Sequence, residues 1–475
     1  MSWLGDAAAY VSHRIADVSL MHGWFPWTVQ VTAAVLLVFA IGLSFRRWWT
    51  PRLAAAVLVG VLTAAGAHHY VYSTGLANDA SPGPLWFWLG LAASAGVVTA
   101  TSWRGARWWR RGSASSAVAL CLLSAALLLN SWVGYVPTVY SAWNQLTAGR
   151  LPHEADPASI AAMQRAAVLP ANGAVVAVSV TDEVSKFRHR GELVYLPPAW
   201  FATMPPPSLP VVMMIGAEIN TPADWLRIGG AATSADEFAA AHGGNAPVLV
   251  FVDTGGAFGI DTECVNGVQG NAADHLTKEV IPFMIAHYGV SADPTHWGVA
   301  GFSTGGTCAL DLTVMHPDLF SSFVDIAGDA GPNAGSKEQT IIRLFGGDAA
   351  AWASFDPATV IIRHGPYRGV SGRFVIAPAA DRDANVGGQD VAAHTLCDLG
   401  RSRGIDCAVV TQSGNHDWLY AAAAFRDALP WLAEQLGTPA TQHVGRPGQS
   451  LPLPPPSVSP PPDVDHHAVH GGHST

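Results

Sequence analysis

Four apolar runs fill the first third of the chain and then stop. Residues 24–45, 53–72, 85–102 and 116–136 each come close to the length that crosses a bilayer as a helix. Beyond residue 137 the pattern changes to short apolar runs separated by turns and helix-periodic stretches. Segments 209–216, 248–253, 297–300, 322–328, 372–377 and 407–411 read as buried strands, and 391–403 as a helix between the last two. That alternation predicts a mostly parallel sheet with helices on both faces. The expected organisation is a four-helix transmembrane anchor over 1–137 and a juxtamembrane linker over 138–170 with a short helix at 157–167. An α/β domain over 171–437 follows, then a Pro/His-rich tail over 438–475. Residues 171–196 read as two strands, with Lys186-Phe-Arg188-His-Arg190 as a solvated hairpin turn between them. Segment 329–372, with Arg343, Trp352, Phe355 and Tyr367, is expected to form a cap or substrate wall.

Aromatic and charged residues sharpen the membrane reading. Twelve of the 18 Trp precede residue 144, and Trp24, Trp27, Trp48, Trp49, Trp86, Trp88, Trp103, Trp108, Trp109 and Trp132 gather at the ends of the runs. Buried helices of a soluble domain would not collect tryptophan at both ends; an interfacial belt does. Arg46, Arg47 and Arg52 lie between runs one and two, and Arg104, Arg107, Arg110 and Arg111 between three and four. The intervening connection, 73–84, has no Lys or Arg and carries Asp79. Positive loops stay cytoplasmic, so both termini and the α/β domain are expected outside the cell membrane. The first 20 residues lack the basic start of a cleavable signal peptide, which makes the anchor an uncleaved one. The runs hold no acidic residue and few other titratable groups, which disfavours a transporter.

Composition agrees and excludes some partners. Hydrophobic residues make up 49% and charged ones only 13%, too apolar for a wholly soluble chain. A net charge of −10 and the absence of a basic patch argue against nucleic acid. No P-loop or zinc-ligand spacing stands out, so neither cofactor nor metal is expected. Three Lys against 22 Arg, with abundant Ala, suggests a GC-rich, actinobacterial-type genome. The tail, Pro-rich and ending in His466, His467, His470 and His473, cannot bury a core.

The chemistry centres on Gly301-Phe-Ser303-Thr-Gly305, a G-x-S-x-G pentapeptide between a strand and a helix-like Ala309, Leu310, Leu312, Val314 pattern. This is the context of a nucleophile elbow, with Ser303 as nucleophile. A serine needs a base, and the base an orienting carboxylate. Asp381 and Asp383 follow the 372–377 strand, and His416 follows the 407–411 strand in Gly414-Asn-His416-Asp-Trp418. The order Ser, Asp, His suits an α/β-hydrolase, and each candidate sits past a strand's C-terminal end. Asp381 is the preferred acid because it comes first after the apolar run; Asp383 is its rival, with Asp325 next.

Residues from about 190 to 436 resemble the putative-esterase family of α/β-hydrolases. That family includes S-formylglutathione hydrolase, enterochelin esterase and the antigen 85 mycolyltransferases. The resemblance rests on Glu192-Leu-Val-Tyr-Leu-Pro-Pro198, Leu209-Pro-Val-Val-Met-Met-Ile-Gly216, the Ser303 elbow, His316-Pro-Asp-Leu-Phe320 and the His416 motif. It implies an α/β-hydrolase fold and an acyl-enzyme mechanism, with the backbone amides of Ala217 and Thr304 as the oxyanion hole. Two positions depart from antigen 85: Gly306 stands where those proteins have Ala, and Asp381 or Asp383 where they have Glu.

Cysteine usage fits an oxidising compartment. Apart from Cys121, the even set Cys264, Cys308, Cys397 and Cys407 suggests two disulfides. Cys264–Cys308 and Cys397–Cys407 are the favoured pairs. The function expected is a membrane-anchored, extracytoplasmic serine esterase or acyltransferase acting on acyl esters, with envelope lipids or glycolipids as candidate substrates. A catalytically silent ectodomain that binds a ligand is the alternative. Oligomeric state is left open.

Overall fold

The computed structural model describes residues 18–41, 50–74, 82–103, 108–147, 149–218, 220–257, 260–378 and 388–439. Asp381, Asp383, most of the segment before the first apolar run and the tail beyond residue 439 lie outside the described residues.

Helices α1 (Trp24–Ile41), α2 (Thr50–Thr74), α3 (Gly83–Ser102) and α4 (Trp108–Val133) form the N-terminal part. Among the described residues, three stretches are long and apolar enough to cross a membrane: Pro51–Ser73, Gly83–Thr101 and Trp108–Val133. The fourth expected span, in α1, is apolar over the shorter stretch Trp24–Phe39. These helices are hydrophobic all round, as membrane helices are. Small residues with Trp88 and Leu85 fill the centre (Ala33, Ala92, Cys121, Ala125), while Val57, Leu58, Val61, Leu62, Leu122 and Leu129 face outward. Close approach of small residues and an interhelical hydrogen bond join them. The Ser94 hydroxyl donates to the Ala56 carbonyl at 3.0 Å, joining α3 to α2.

The 138–170 segment carries α5 (Val139–Leu146) and α6 (Pro157–Ala166). Thr138 and Asp156 cap them by accepting the amides of Ser141 and Ser159. The α/β part is an eight-stranded sheet of β1 (Ala174–Val178), β2 (Glu192–Leu196), β3 (Val211–Ile215), β4 (Val248–Val252), β5 (Trp297–Phe302), β6 (Ser322–Ile326), β7 (Ser371–Ile376) and β8 (Asp406–Thr411). Its spatial order is β1-β2-β4-β3-β5-β6-β7-β8. Strand β2 runs antiparallel to both neighbours, and every other pairing is parallel.

Strands buried on both faces need apolar residues at every position, which is why 211–215 reads Val-Val-Met-Met-Ile. Val211, Met213 and Ile215 enter one core, Val212 and Met214 the other. Helices α7 (Ala231–Ala241) and α15 (Trp418–Gln435) cover the second face. Helices α9 (Ile281–Tyr288), α10 (Thr304–Met315) and α14 (Gln389–Ser402) contribute to the first. A short helix, α8 (Ala272–His275), runs through a π-turn, Leu276–Val280, into α9.

Two expectations need correction. The 186–190 cluster is solvated only in part: Lys186 and Arg188 are exposed, but Phe187 is buried and Arg190 donates to both carboxylate oxygens of Asp253. Segment 329–372 does form helices α11 (Lys337–Phe345), α12 (Ala349–Ala353) and α13 (Pro357–His364). Tyr367, however, is buried and donates to the Val314 carbonyl at 2.9 Å, and Phe355 belongs to a small core with Leu344 and Phe345. They are packing residues of the cap.

The structure contains both favoured disulfides. Cys264–Cys308 ties the loop after β4 to α10, and Cys397–Cys407 ties α14 to β8.

Candidate active site

Strand β5 turns into α10 at Ser303, whose φ of 57° and ψ of −122° are strained for a residue with a side chain. Two glycines make the turn possible. A Cβ on Gly301 would overlap the Gly305 backbone, and one on Gly305 would overlap the Ile215 carbonyl at the end of β3. The Ser303 amide donates to the Ile326 carbonyl at 2.8 Å, anchoring the elbow to β6.

His416 Nε2 lies 3.0 Å from Ser303 Oγ. The base therefore meets the nucleophile across 113 residues of sequence, because β5 and β8 end on the same edge of the sheet. The Phe302 ring packs 4.9 Å from the imidazole, and Asp417 caps α15 by accepting the Tyr420 amide at 2.9 Å. The other ring nitrogen, Nδ1, is shielded from solvent. Ser303 and Thr304 are half-buried, so the site can be reached.

Thr304 is the first residue of α10, where helical geometry leaves amides without an acceptor in the helix. Ala217 follows β3, and the Gly216 carbonyl abuts the Gly305 position. The Ala217 loop is strongly braced. The Asn220 amide donates to the Ala217 carbonyl at 3.0 Å, and Arg190 Nη2 donates to the Asn220 carbonyl at 2.7 Å. Asp224 accepts from Thr221 and, at 2.8 Å, from the Tyr135 hydroxyl.

Buried carboxyl groups sit on the Thr304 side. Glu263 is buried, and its Oε1 lies 3.5 Å from Thr304 Oγ1. Burial, and then the neighbouring charges of Asp261 and Asp329, push its pKa well above the usual carboxylate range. Asp325, on β6, is also buried; its carboxylate accepts the Gly328 amide at 2.7 Å, and burial pushes its pKa up to about 7. A Cβ at residue 306 would collide with Asp325 Oδ1, which accounts for Gly306 where antigen 85 has Ala. Nothing in the sequence marks Glu263, since a Glu in a loop is ordinarily solvated.

A serine on a strained G-x-S-x-G turn, with a histidine in hydrogen-bond reach on the C-terminal edge of this sheet, defines an α/β-hydrolase of the serine type. Residues 188–371 match the family described as Putative esterase. An uncharacterized protein of Corynebacterium glutamicum is 31% identical over 274 residues, 56% of this chain. The match spans 63% of that relative's length. Solved structures sharing the fold include an S-formylglutathione hydrolase from Agrobacterium tumefaciens, at 18% identity and a TM-score of 0.47, covering 56% of this chain and 97% of that one. A ferulic acid esterase is similar at 17% identity and a TM-score of 0.46, covering 56% and 99%. MPT51 of Mycobacterium tuberculosis is similar at 17% and 0.38, covering 55% and 99%.

Proposed function

We propose that the protein is a membrane-anchored, extracytoplasmic serine esterase or acyltransferase that acts on acyl esters of envelope lipids or glycolipids. The observation that carries the reaction is the 3.0 Å contact between Ser303 Oγ and His416 Nε2 at a strained, accessible serine. Ser303 Oγ attacks the ester carbonyl while His416 Nε2 takes its proton. The amides of Thr304 and Ala217 hold the oxyanion, and Asp381 orients His416 through Nδ1. His416 then gives the proton to the departing alcohol. Water, or the hydroxyl of an acceptor lipid or sugar, resolves the acyl-enzyme by the same steps in reverse. A silent binding domain would not need a strained serine poised on a histidine.

The lipid reading draws on the end of α4. The Trp418 amide donates to the Gly134 carbonyl at 3.3 Å, and the Tyr135 hydroxyl reaches Asp224. Thus the residues next after Val133 touch both the His416 loop and the Ala217 loop. If α4 spans the bilayer, the reactive centre lies close to its surface, where an acyl chain would be presented. Two disulfides support an oxidising compartment. Arg343 Nη2 donates to the Ser73 carbonyl at the end of α2, consistent with the 73–84 connection lying on the same side as the α/β domain.

The test is acyl-enzyme formation and its fate. Purified protein should be labelled by a fluorophosphonate and should release product from short-chain esters and from acylated lipids in vesicles. Ser303→Ala should lose labelling and activity together, leaving at most the roughly 10³–10⁴-fold residual acceleration of an oxyanion hole and binding alone. Labelling that persists in Ser303→Ala overturns the reading. Products compared with and without a sugar acceptor separate hydrolysis from transfer.

A further inference from the structure

A second cluster of reactive side chains lies on the same sheet edge, away from the nucleophile. His189 precedes β2, Glu192 begins it, and His275 ends α8, 83 residues later. Glu192 and His275 are fully buried, and the His189 side chain is 8% exposed. One ligand atom from each lies within 4.8 Å of the others. Glu192 Oε1 is 2.8 Å from His189 Nδ1 and 3.0 Å from His275 Nε2.

The outer hydrogen bonds decide which nitrogens carry protons. Glu279, on the π-turn, accepts the Val184 and Ser185 amides, the Ser185 hydroxyl and His275 Nδ1 at 2.8 Å. A carboxylate holding three other donors acts as an acceptor toward His275, so Nδ1 carries the proton and Nε2 presents its lone pair to Glu192. The His189 ring is likewise hydrogen-bonded to the Val180 backbone. Its Nδ1 lies 2.8 Å from Glu192 Oε1, and Glu192 Oε2 has no hydrogen-bond partner. Two imidazole nitrogens and a carboxylate therefore converge in a buried pocket, with one Glu192 oxygen left unpartnered.

Protons alone resolve this poorly. The two rings stack at 4.1 Å, so charging both would put like charges face to face. Arg190, the adjacent cation, is committed to Asp253. A divalent cation instead satisfies both neutral rings and offsets two buried carboxylates at once. Histidines oriented by a carboxylate and by a backbone group are the usual outer shell of a metal site.

We propose that His189, Glu192 and His275 bind one divalent cation of the zinc class, with Glu192 able to supply both oxygens and Glu279 positioning His275. Two imidazoles and a carboxylate suit Zn²⁺ better than Mg²⁺ or Ca²⁺, which prefer all-oxygen shells. A site this closed to solvent is structural. The cation would clamp the loop before β2 to α8, and through Arg190 steady the bracing of the Ala217 loop.

The test uses the full chain with His466, His467, His470 and His473 all changed to Ala, which removes the competing tail. Purified without chelator or after incubation with ZnCl₂ and desalting, it should hold about one zinc per chain by elemental analysis. Co²⁺ taken up in its place should give the visible bands of a low-coordinate nitrogen/oxygen site. Glu192→Gln, nearly isosteric, should lose the metal, and dipicolinate should lower the melting temperature of the parent but not of that variant. Folded parent protein that holds no zinc or cobalt after incubation overturns the proposal, as does full occupancy retained in Glu192→Gln. If Glu192→Gln fails to fold, X-ray absorption on the zinc-loaded parent decides: two imidazoles support the site, and a shell without imidazole overturns it.

Discussion

At the scale of single residues, the carboxylates govern most of what remains to be tested. Asp381 and Asp383 follow β7 directly, and His416 Nδ1 is the nitrogen that either one would hold. Losing that partner leaves His416 free to adopt the wrong tautomer, a defect worth about 10⁴ in kcat in the serine-protease precedent. Asp381→Asn should therefore lower kcat by orders of magnitude with fluorophosphonate labelling slowed in parallel, and Asp383→Asn should stay near the parent. The reverse pattern would make Asp383 the acid. Asp325 predicts a different phenotype. Its pKa rises on folding to about 7 through burial, so the folded state holds its proton more tightly than the unfolded chain does. Stability from this group is complete below the unfolded pKa, near 4, and is lost as pH climbs through 7. Thermal unfolding of the parent should thus weaken from pH 5 to pH 8, by something on the order of a few kcal/mol. Asp325→Asn keeps an oxygen for the Gly328 amide and should flatten that slope; an unchanged slope would show that Asp325 does not carry it. Asp311 and Glu263, also buried and shifted upward, would leave a residual slope of the same sign.

At the scale of elements, the connection leaving α4 is the part on which the site depends most. Gly134 has φ of 69°, and a Cβ there would overlap the Cβ of Asp417, the neighbour of His416. Gly134→Ala must therefore push the His416 loop or the helix end aside. A displacement near 1 Å between base and nucleophile can cost about 10²-fold. We expect Gly134→Ala to depress kcat by that order while membrane extraction behaviour and melting temperature change little. Parent-level activity would mean that the loop tolerates the shift. This contact also marks the limit of what was legible in the chain. Strands β3 to β8 and the elbow announce themselves because continuous apolar runs bounded by turns have few other uses, and Ser303 and His416 follow from them. The 186–190 stretch misleads in part: Lys186 and Arg188 are exposed as expected, but Arg190 is paired with Asp253, brought beside it from far along the chain. Tyr367 misleads for the same reason, its hydroxyl being satisfied by the Val314 carbonyl on α10. Local pattern carries burial faithfully; it cannot carry partners supplied by the fold.

At the scale of the whole molecule, the question is whether the apolar helices cross a membrane as proposed, and which way. The apolar helices fit a bilayer by length and composition, and two of their ends, at Ser73 and Gly134, touch the α/β domain. Both contacts fall on the side that the arginine pattern assigns to the exterior. Arg104, Arg107, Arg110 and Arg111 sit between the third and fourth runs, and no Lys or Arg occurs in 73–84. Each buried arginine in a span would cost roughly 2.5–3.5 kcal/mol, so the topology we propose keeps the basic connections in the cytoplasm. A cysteine placed at Ala106 in a Cys121→Ala background should resist a membrane-impermeant thiol reagent in intact cells and react only after permeabilisation. One placed at Ser81 should react in intact cells. The two outcomes together also bear on the disulfides, because an exterior Ser81 puts Cys264, Cys308, Cys397 and Cys407 in an oxidising compartment where those bonds persist. A reactive Ala106→Cys with a protected Ser81→Cys would invert the topology. It would put Ser303 in the cytoplasm, where the disulfides would be reduced and envelope lipids of the outer leaflet would be out of reach.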